Sequence, residues 1–108
     1  MNPRNAFASR ADANEPEIIE ALKARGVSVT PMRMLGKGCP DLLCGHGGLT
    51  VLIEVKRDYH YDRGKRGVEH VIGKLTPDQE RWHREWKGQP VVIARTPSEA
   101  LAAFGLTL

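Results

Sequence analysis

Asp41, Glu54 and Lys56 are the residues whose types and spacing can do chemistry. Pro40-Asp41 is followed, thirteen residues after the aspartate, by Glu54-Val55-Lys56. Two carboxylates can hold a hard cation, and an ammonium beside them can orient an attacking water. Together they support metal-assisted hydrolysis. On a β-strand, residues i and i+2 point to the same face, so Glu54 and Lys56 would stand together.

The elements that must position them can be read around the motif. Residues 49–56 are rich in β-branched and aliphatic side chains and follow the Gly47-Gly48 turn signal. Leu49, Val51, Ile53 and Val55 would face a core. The other face, Thr50, Leu52, Glu54 and Lys56, becomes charged only at its end. The charged pair therefore stands where a buried strand runs out into a cleft.

A chain of 108 residues is one domain with a modest core. Sixteen Lys and Arg against thirteen Asp and Glu give a net charge of +3, which permits a polyanionic partner without requiring one. No apolar run approaches membrane-spanning length and no secretory segment follows the N-terminus, so a cytoplasmic protein is expected. Cys39 and Cys44 are expected as free thiols. With His46 they suggest zinc only weakly, because C-x4-C lacks a second matching pair.

Residues 1–13 read as a flexible N-terminal arm, and 14–108 as a single domain. A helix is predicted over 15–25, with Asn14 as N-cap, Glu17 at N3 of a capping box and Gly26 as its stop. Residues 27–34 read as a strand despite Pro31, and a hairpin through Gly45 to Gly48 joins 41–44 to 49–56. Residues 57–74 carry three glycines and five Lys or Arg, and read as a mobile basic loop. Thr76-Pro77-Asp78-Gln79 opens a helix ending near Lys87-Gly88. A strand over 91–94 and a helix from Thr96 to about Phe104 complete the chain. The expected fold class is α/β, with a three-stranded antiparallel meander and a fourth strand that can lie parallel to one of the others.

The chain resembles the PD-(D/E)xK nucleases, and more narrowly the stand-alone VRR-NUC domains encoded by bacteriophages and their relatives. Asp12 to Ile19, Gly38-Cys39-Pro40-Asp41-Leu42-Leu43, Ile53-Glu54-Val55-Lys56 and Leu75 to Trp82 carry the resemblance. Val92 to Arg95 and Ser98 to Leu101 also fit. It spans nearly all of the chain from Asp12 onward. Each piece alone is common, but their order on these elements is fairly specific.

The resemblance implies a restriction-endonuclease-like αβββαβ core, a mixed sheet flanked by helices, with a C-terminal helix. It implies that Asp41 and Glu54 ligate a divalent cation with the Val55 backbone carbonyl, and that Lys56 orients the attacking water. Mg2+ suits such a site and Mn2+ should substitute. Glu17 matches the family's helix acid, with Glu20 one turn on as its substitute, and Gln79 matches a glutamine that begins the later helix. The implied activity is a metal-dependent DNA endonuclease, acting as a homodimer on branched DNA in the manner of a Holliday-junction resolvase. Flap or nicked duplex is the alternative substrate. The implied setting is a bacterial cytoplasm, with phage or prophage origin.

Each residue also has a plainer explanation. Asp41 can be a turn residue, and Glu54 and Lys56 a surface ion pair. Capping alone accounts for Glu17 and Gln79. Trp82 and Trp86 read as packing residues before DNA-stacking ones, and His83 as a helix-surface or satisfied core residue. Arg57, Arg63, Lys65, Arg66 and Lys74 can track phosphates or simply be solvated. A nucleic-acid-binding or assembly module without catalysis is the competing class. A serine or cysteine hydrolase is remote, since no nucleophile arrangement is evident.

Overall fold

Two glycines set the hairpin at the centre of the sheet. Gly47 and Gly48 have φ of +59° and +80°, the positive values at both central positions that a two-residue type I′ turn requires. They join strand β2, Leu42–His46, to β3, Leu49–Val55, with His46 opposite Leu49 and Leu42 opposite Ile53. A computed structural model of the chain describes residues 14–57, 61–63, 69–71 and 74–108. The expected N-terminal arm, 1–13, lies outside the described residues.

Strand β1, Ser28–Pro31, pairs antiparallel with β2 at the sheet edge. The edge tolerates Pro31, which has no N–H to give a further strand. A 3-10 turn, Arg33–Leu35, replaces the rest of the expected strand over 27–34. Two short strands, β4 at Tyr61–Arg63 and β5 at Glu69–Val71, pair antiparallel within the span expected as a loop. Tyr61 and Val71, opposite each other, are residue types that favour strands. Strand β6, Val92–Ala94, lies parallel to β3, giving a four-stranded mixed sheet in the order β1-β2-β3-β6. The fold is α/β, as expected.

Helix α1, Glu15–Ala24, α2, Pro77–Glu85, and α3, Pro97–Ala102, complete the described elements. Ile18 and Leu22 of α1 and Ala100 and Leu101 of α3 share one core with Leu42, Cys44, Val51, Ile53, Val55 and Ala94 of the sheet. The predicted alternation on β3 holds at Val51, Ile53 and Val55. Leu49, also expected inside, is 37% exposed because it adjoins the turn. Helix α2 takes the opposite face, where Gln79 meets Glu54 and Trp86 borders Thr50 and Leu52. Among the described residues, no helix is long and apolar enough to cross a membrane.

The two helix starts predicted from capping diverge. At α2, Thr76 Oγ1 accepts from Gln79 N at 3.2 Å and Gln79 Oε1 accepts from Thr76 N at 2.9 Å, a complete capping box. At α1, Asn14 has helical dihedrals, φ −86° and ψ −6°, and its side chain makes no cap bond. The expected box with Glu17 is absent because the Asn14 amide is used elsewhere, as described below.

Candidate active site

The β2–β3 register decides where the carboxylates stand. Its last pair is Leu42 with Ile53, and one step further sets Asp41 opposite Glu54. Opposed residues of an antiparallel pair project to the same face. The ladder closes through a side chain at this end, where Val55 N donates to Asp41 Oδ2 at 2.8 Å. Met32 N donates to Asp41 O at 2.7 Å, which fixes the aspartate from its other side.

Glu54 is 1% exposed although its face of β3 opens toward solvent. A carboxylate so buried requires polar partners. Helix α2 brings them: Gln79 Nε2 donates to Glu54 Oε2 at 3.0 Å, and His83 Nε2 faces Glu54 Oε1 at 3.8 Å. Gln79 and His83 are four apart, so they lie one above the other on a single helix face. Burial, and secondarily the charge of Lys56, lower the pKa of His83. Lys56 is half-buried. Cys39 lies close enough to the carboxylates to feel their charge. Burial raises its thiol pKa first, and the negative charges of Glu54 and Asp41 add to that.

Two positional features hold this group together. The Asn14 amide donates to Lys56 O at 2.9 Å and to Arg95 O at 2.7 Å, bridging the ends of the parallel strands β3 and β6. Gly38, at φ +83°, passes so close to α2 that a Cβ would stand 2.3 Å from Asp78 O. Only glycine fits, and the approach ties the loop before Asp41 to the helix carrying Gln79 and His83.

The structure thus brings Asp41, Glu54, Lys56 and Gln79 together. Glu17 and its substitute Glu20 are exposed on α1. The buried acid of α1 is Glu15 instead, paired at 2.5 Å with Arg33 of the 3-10 turn. Arg57 and Lys74 are exposed on either side of the β4–β5 pair. Arg63 falls in β4, and Lys65 and Arg66 lie outside the described residues. Trp82 and Trp86 stack on each other with ring centroids 5.0 Å apart. Cys39 and Cys44 are free thiols.

Sequence reasoning missed three residues. His83 carries a signal, since it lies one helical turn from Gln79. Glu15 also carries one, at three and seven residues before the core positions Ile18 and Leu22. Asn14 carries none beyond the capping role it does not play.

As a donor set, two opposed carboxylates suit a hard cation that keeps several waters. Among the described residues, no group of three or more His, Cys, Asp and Glu side chains converges on one point. A cation here would complete its shell with backbone, water or substrate oxygens. The buried Nε2 of His83 has no hydrogen-bond partner among the described residues. Comparison with models of known families, with curated proteins and with solved structures gave no match.

Proposed function

We propose that this chain is a divalent-metal-dependent DNA endonuclease with a PD-(D/E)xK core, similar to the stand-alone VRR-NUC domains. The observation that carries the reading is the register that sets Asp41 opposite Glu54, with Lys56 two residues on. The element order supports it: helix, three antiparallel strands, helix, parallel strand, helix, with a small added strand pair after β3.

Asp41, Glu54 and the Val55 carbonyl would hold the cation, Mg2+ or Mn2+. That ion would offset charge on a phosphoryl oxygen and acidify a water. Lys56 would offer an ammonium to the attacking water and the scissile phosphate. Gln79 fixes the orientation of Glu54, and Asn14 fixes the backbone of Lys56 through its carbonyl. Arg57 and Lys74, with Arg63, Lys65 and Arg66, would contact flanking phosphates, so affinity should fall as salt rises. A homodimer presents two sites related by a two-fold axis. That symmetry suits a four-way junction, whose paired cuts are symmetric.

The test is a panel of four-way junction, flap, nicked and linear duplex DNA with Mg2+ or Mn2+, alongside sedimentation of the protein. Cleavage should require metal and should be abolished in Asp41→Ala and Lys56→Ala, with circular dichroism unchanged. No cleavage of any structure with either metal ends the enzyme reading. Salt-sensitive DNA binding without cleavage would favour the binding or assembly module.

A further inference from the structure

We propose that Met34 and Leu35 form an apolar wedge that enters the base stack where DNA strands part, beside the phosphate presented to Asp41 and Glu54. The proposal rests on the reading of this site as a nuclease and deepens it by naming a substrate with an open base step.

The first observation is a well-braced loop with an apolar tip. Met34 is 84% and Leu35 67% exposed, against 38%, 37% and 42% for Leu43, Leu49 and Trp86. Exposed apolar side chains on a loose segment would carry little meaning. Here the segment is tied at its base and along its length. Met32 N donates to Asp41 O at 2.7 Å and closes the base. Leu35 N donates to Met32 O at 2.9 Å, Gly36 N to Arg33 O at 3.2 Å and Cys39 N to Gly36 O at 3.1 Å. Arg33 is paired with the buried Glu15, and Gly38 lies against the first turn of α2. Residues 32–41 are thus a compact loop whose ends meet, a form often used for recognition.

The second observation is backbone strain at the tip. Lys37 has φ +56°, between Gly36 at +69° and Gly38 at +83°. A lysine in the left-handed region is uncommon, and such residues gather where a ligand is clamped. This one sets an exposed cation two residues after Leu35.

Size and charge choose the occupant. A stable protein interface needs about 800 Å² from each partner, which two side chains do not supply. A wedge between bases needs only one or two apolar side chains, and leucine and methionine are among those that serve. Lys37 supplies the cation for a flanking phosphate. Because the base of the loop is the Asp41 backbone, the opened step lies next to the scissile phosphate. Insertion costs least where a base already lacks a stacking neighbour, as at a branch.

The experiment uses the full chain with four-way junction, flap and linear duplex DNA, in EDTA or with Ca2+ in place of Mg2+. The fluorescent base aminopurine, which brightens when it unstacks, replaces one base at the branch or, as a control, one within an arm. Wild type should brighten the branch position and leave the arm unchanged. Met34→Ser with Leu35→Ser should lose that rise and bind the junction about tenfold more weakly, with linear-duplex affinity and circular dichroism unchanged. Exchanging the two, Met34→Leu with Leu35→Met, should keep the rise. Lys37→Asn tolerates the left-handed backbone and should lower the salt slope of junction binding by about one.

An equal rise in the arm, a rise that survives the double serine variant, or no rise at all overturns the proposal. So does loss of self-association by that variant in sedimentation, which would make the loop an interface between copies. Cleavage with Mg2+ or Mn2+ is scored separately. Unstacking at the branch without cleavage defeats the nuclease reading and leaves the wedge standing. Cleavage of branched DNA that the double serine variant leaves unchanged does the reverse.

Discussion

Gly38→Ala tests whether the loop before Asp41 and the start of α2 touch as described. A Cβ at Gly38 would stand 2.3 Å from Asp78 O, 2.5 Å from its carbonyl carbon and 2.8 Å from Gln79 N. The two backbones would have to part by about 1 Å to accept it. Neither side yields easily. Gly38 is held at φ +83°, and the facing turn is the one closed by the Thr76–Gln79 box. A side chain at positive φ costs about 1–2 kcal/mol, and overpacking against a fixed neighbour about 1–3 kcal/mol more. Gly38→Ala should therefore lose about 2–5 kcal/mol of a total near 5–15 kcal/mol. Gly26→Ala separates the two contributions. Gly26 has φ +81°, but nothing lies within 4 Å of its Cβ position, so only the conformational cost of about 1–2 kcal/mol applies. Urea denaturation of both variants measures the difference. If Gly38→Ala costs no more than Gly26→Ala, the close approach is wrong, and with it the placement of Gln79 and His83 over Glu54.

Three further outcomes follow from the site. Glu15→Ala breaks a pair whose acid is 4% and whose arginine is 30% exposed. Solvent at Arg33 discounts the cost of a fully buried break to about 1–3 kcal/mol. Exposed Glu17→Ala should stay within about 0.5 kcal/mol of wild type in the same urea titration, and the reverse ranking contradicts the placement of α1. Gln79→Glu keeps the acceptor for Thr76 N but loses the donor to Glu54. It should cost about 1.5–3 kcal/mol with the helical signal retained, and wild-type stability would remove the Gln79–Glu54 contact. Burial pushes the Cys44 thiol up to about 11 from its ordinary 9.0. The folded chain keeps this proton where the unfolded chain releases it, so the contribution is full below pH 9 and lost as pH rises through about 11. Melting temperature should fall across that window, and the fall should be shallower in Cys44→Ala.

What was legible in the sequence is what local chemistry controls. The Gly47-Gly48 signal marks the hairpin, but the expected turn over 45–48 is two residues too long, and only the observed two-residue turn sets Asp41 opposite Glu54. Thr76-Pro77-x-Gln79 fixes the start of α2. The illegible part depends on residues far apart in the chain. Asn14 reads as a cap, but its amide donates to carbonyls 42 and 81 positions away, where β3 and β6 end side by side. Those two carbonyls compete with the local cap, and no pattern near Asn14 announces them. Glu15 and Glu17 pose a question of helix phase. Only the face shared with Ile18 and Leu22 is buried, and Glu15 lies on it. His83 was readable as a neighbour of Gln79, but its unsatisfied Nε2 emerges only once Glu54 is seen to be buried beneath it.

Gln79 shows why capping and function are poor alternatives. A capping box needs an acceptor at its third helical position, and glutamate serves there as well as glutamine. In this chain Gln79 Oε1 accepts from Thr76 N while Nε2 donates to Glu54 Oε2. One amide does both because its acceptor and donor are different atoms on a rigid plane. The cap holds the oxygen, which aims the nitrogen at the carboxylate. A glutamate at 79 would cap equally well and set a second negative charge against a buried one. The capping position therefore says where the helix begins, and the choice of amide over acid says what it faces. From there, helical spacing carries His83 to the other oxygen of Glu54.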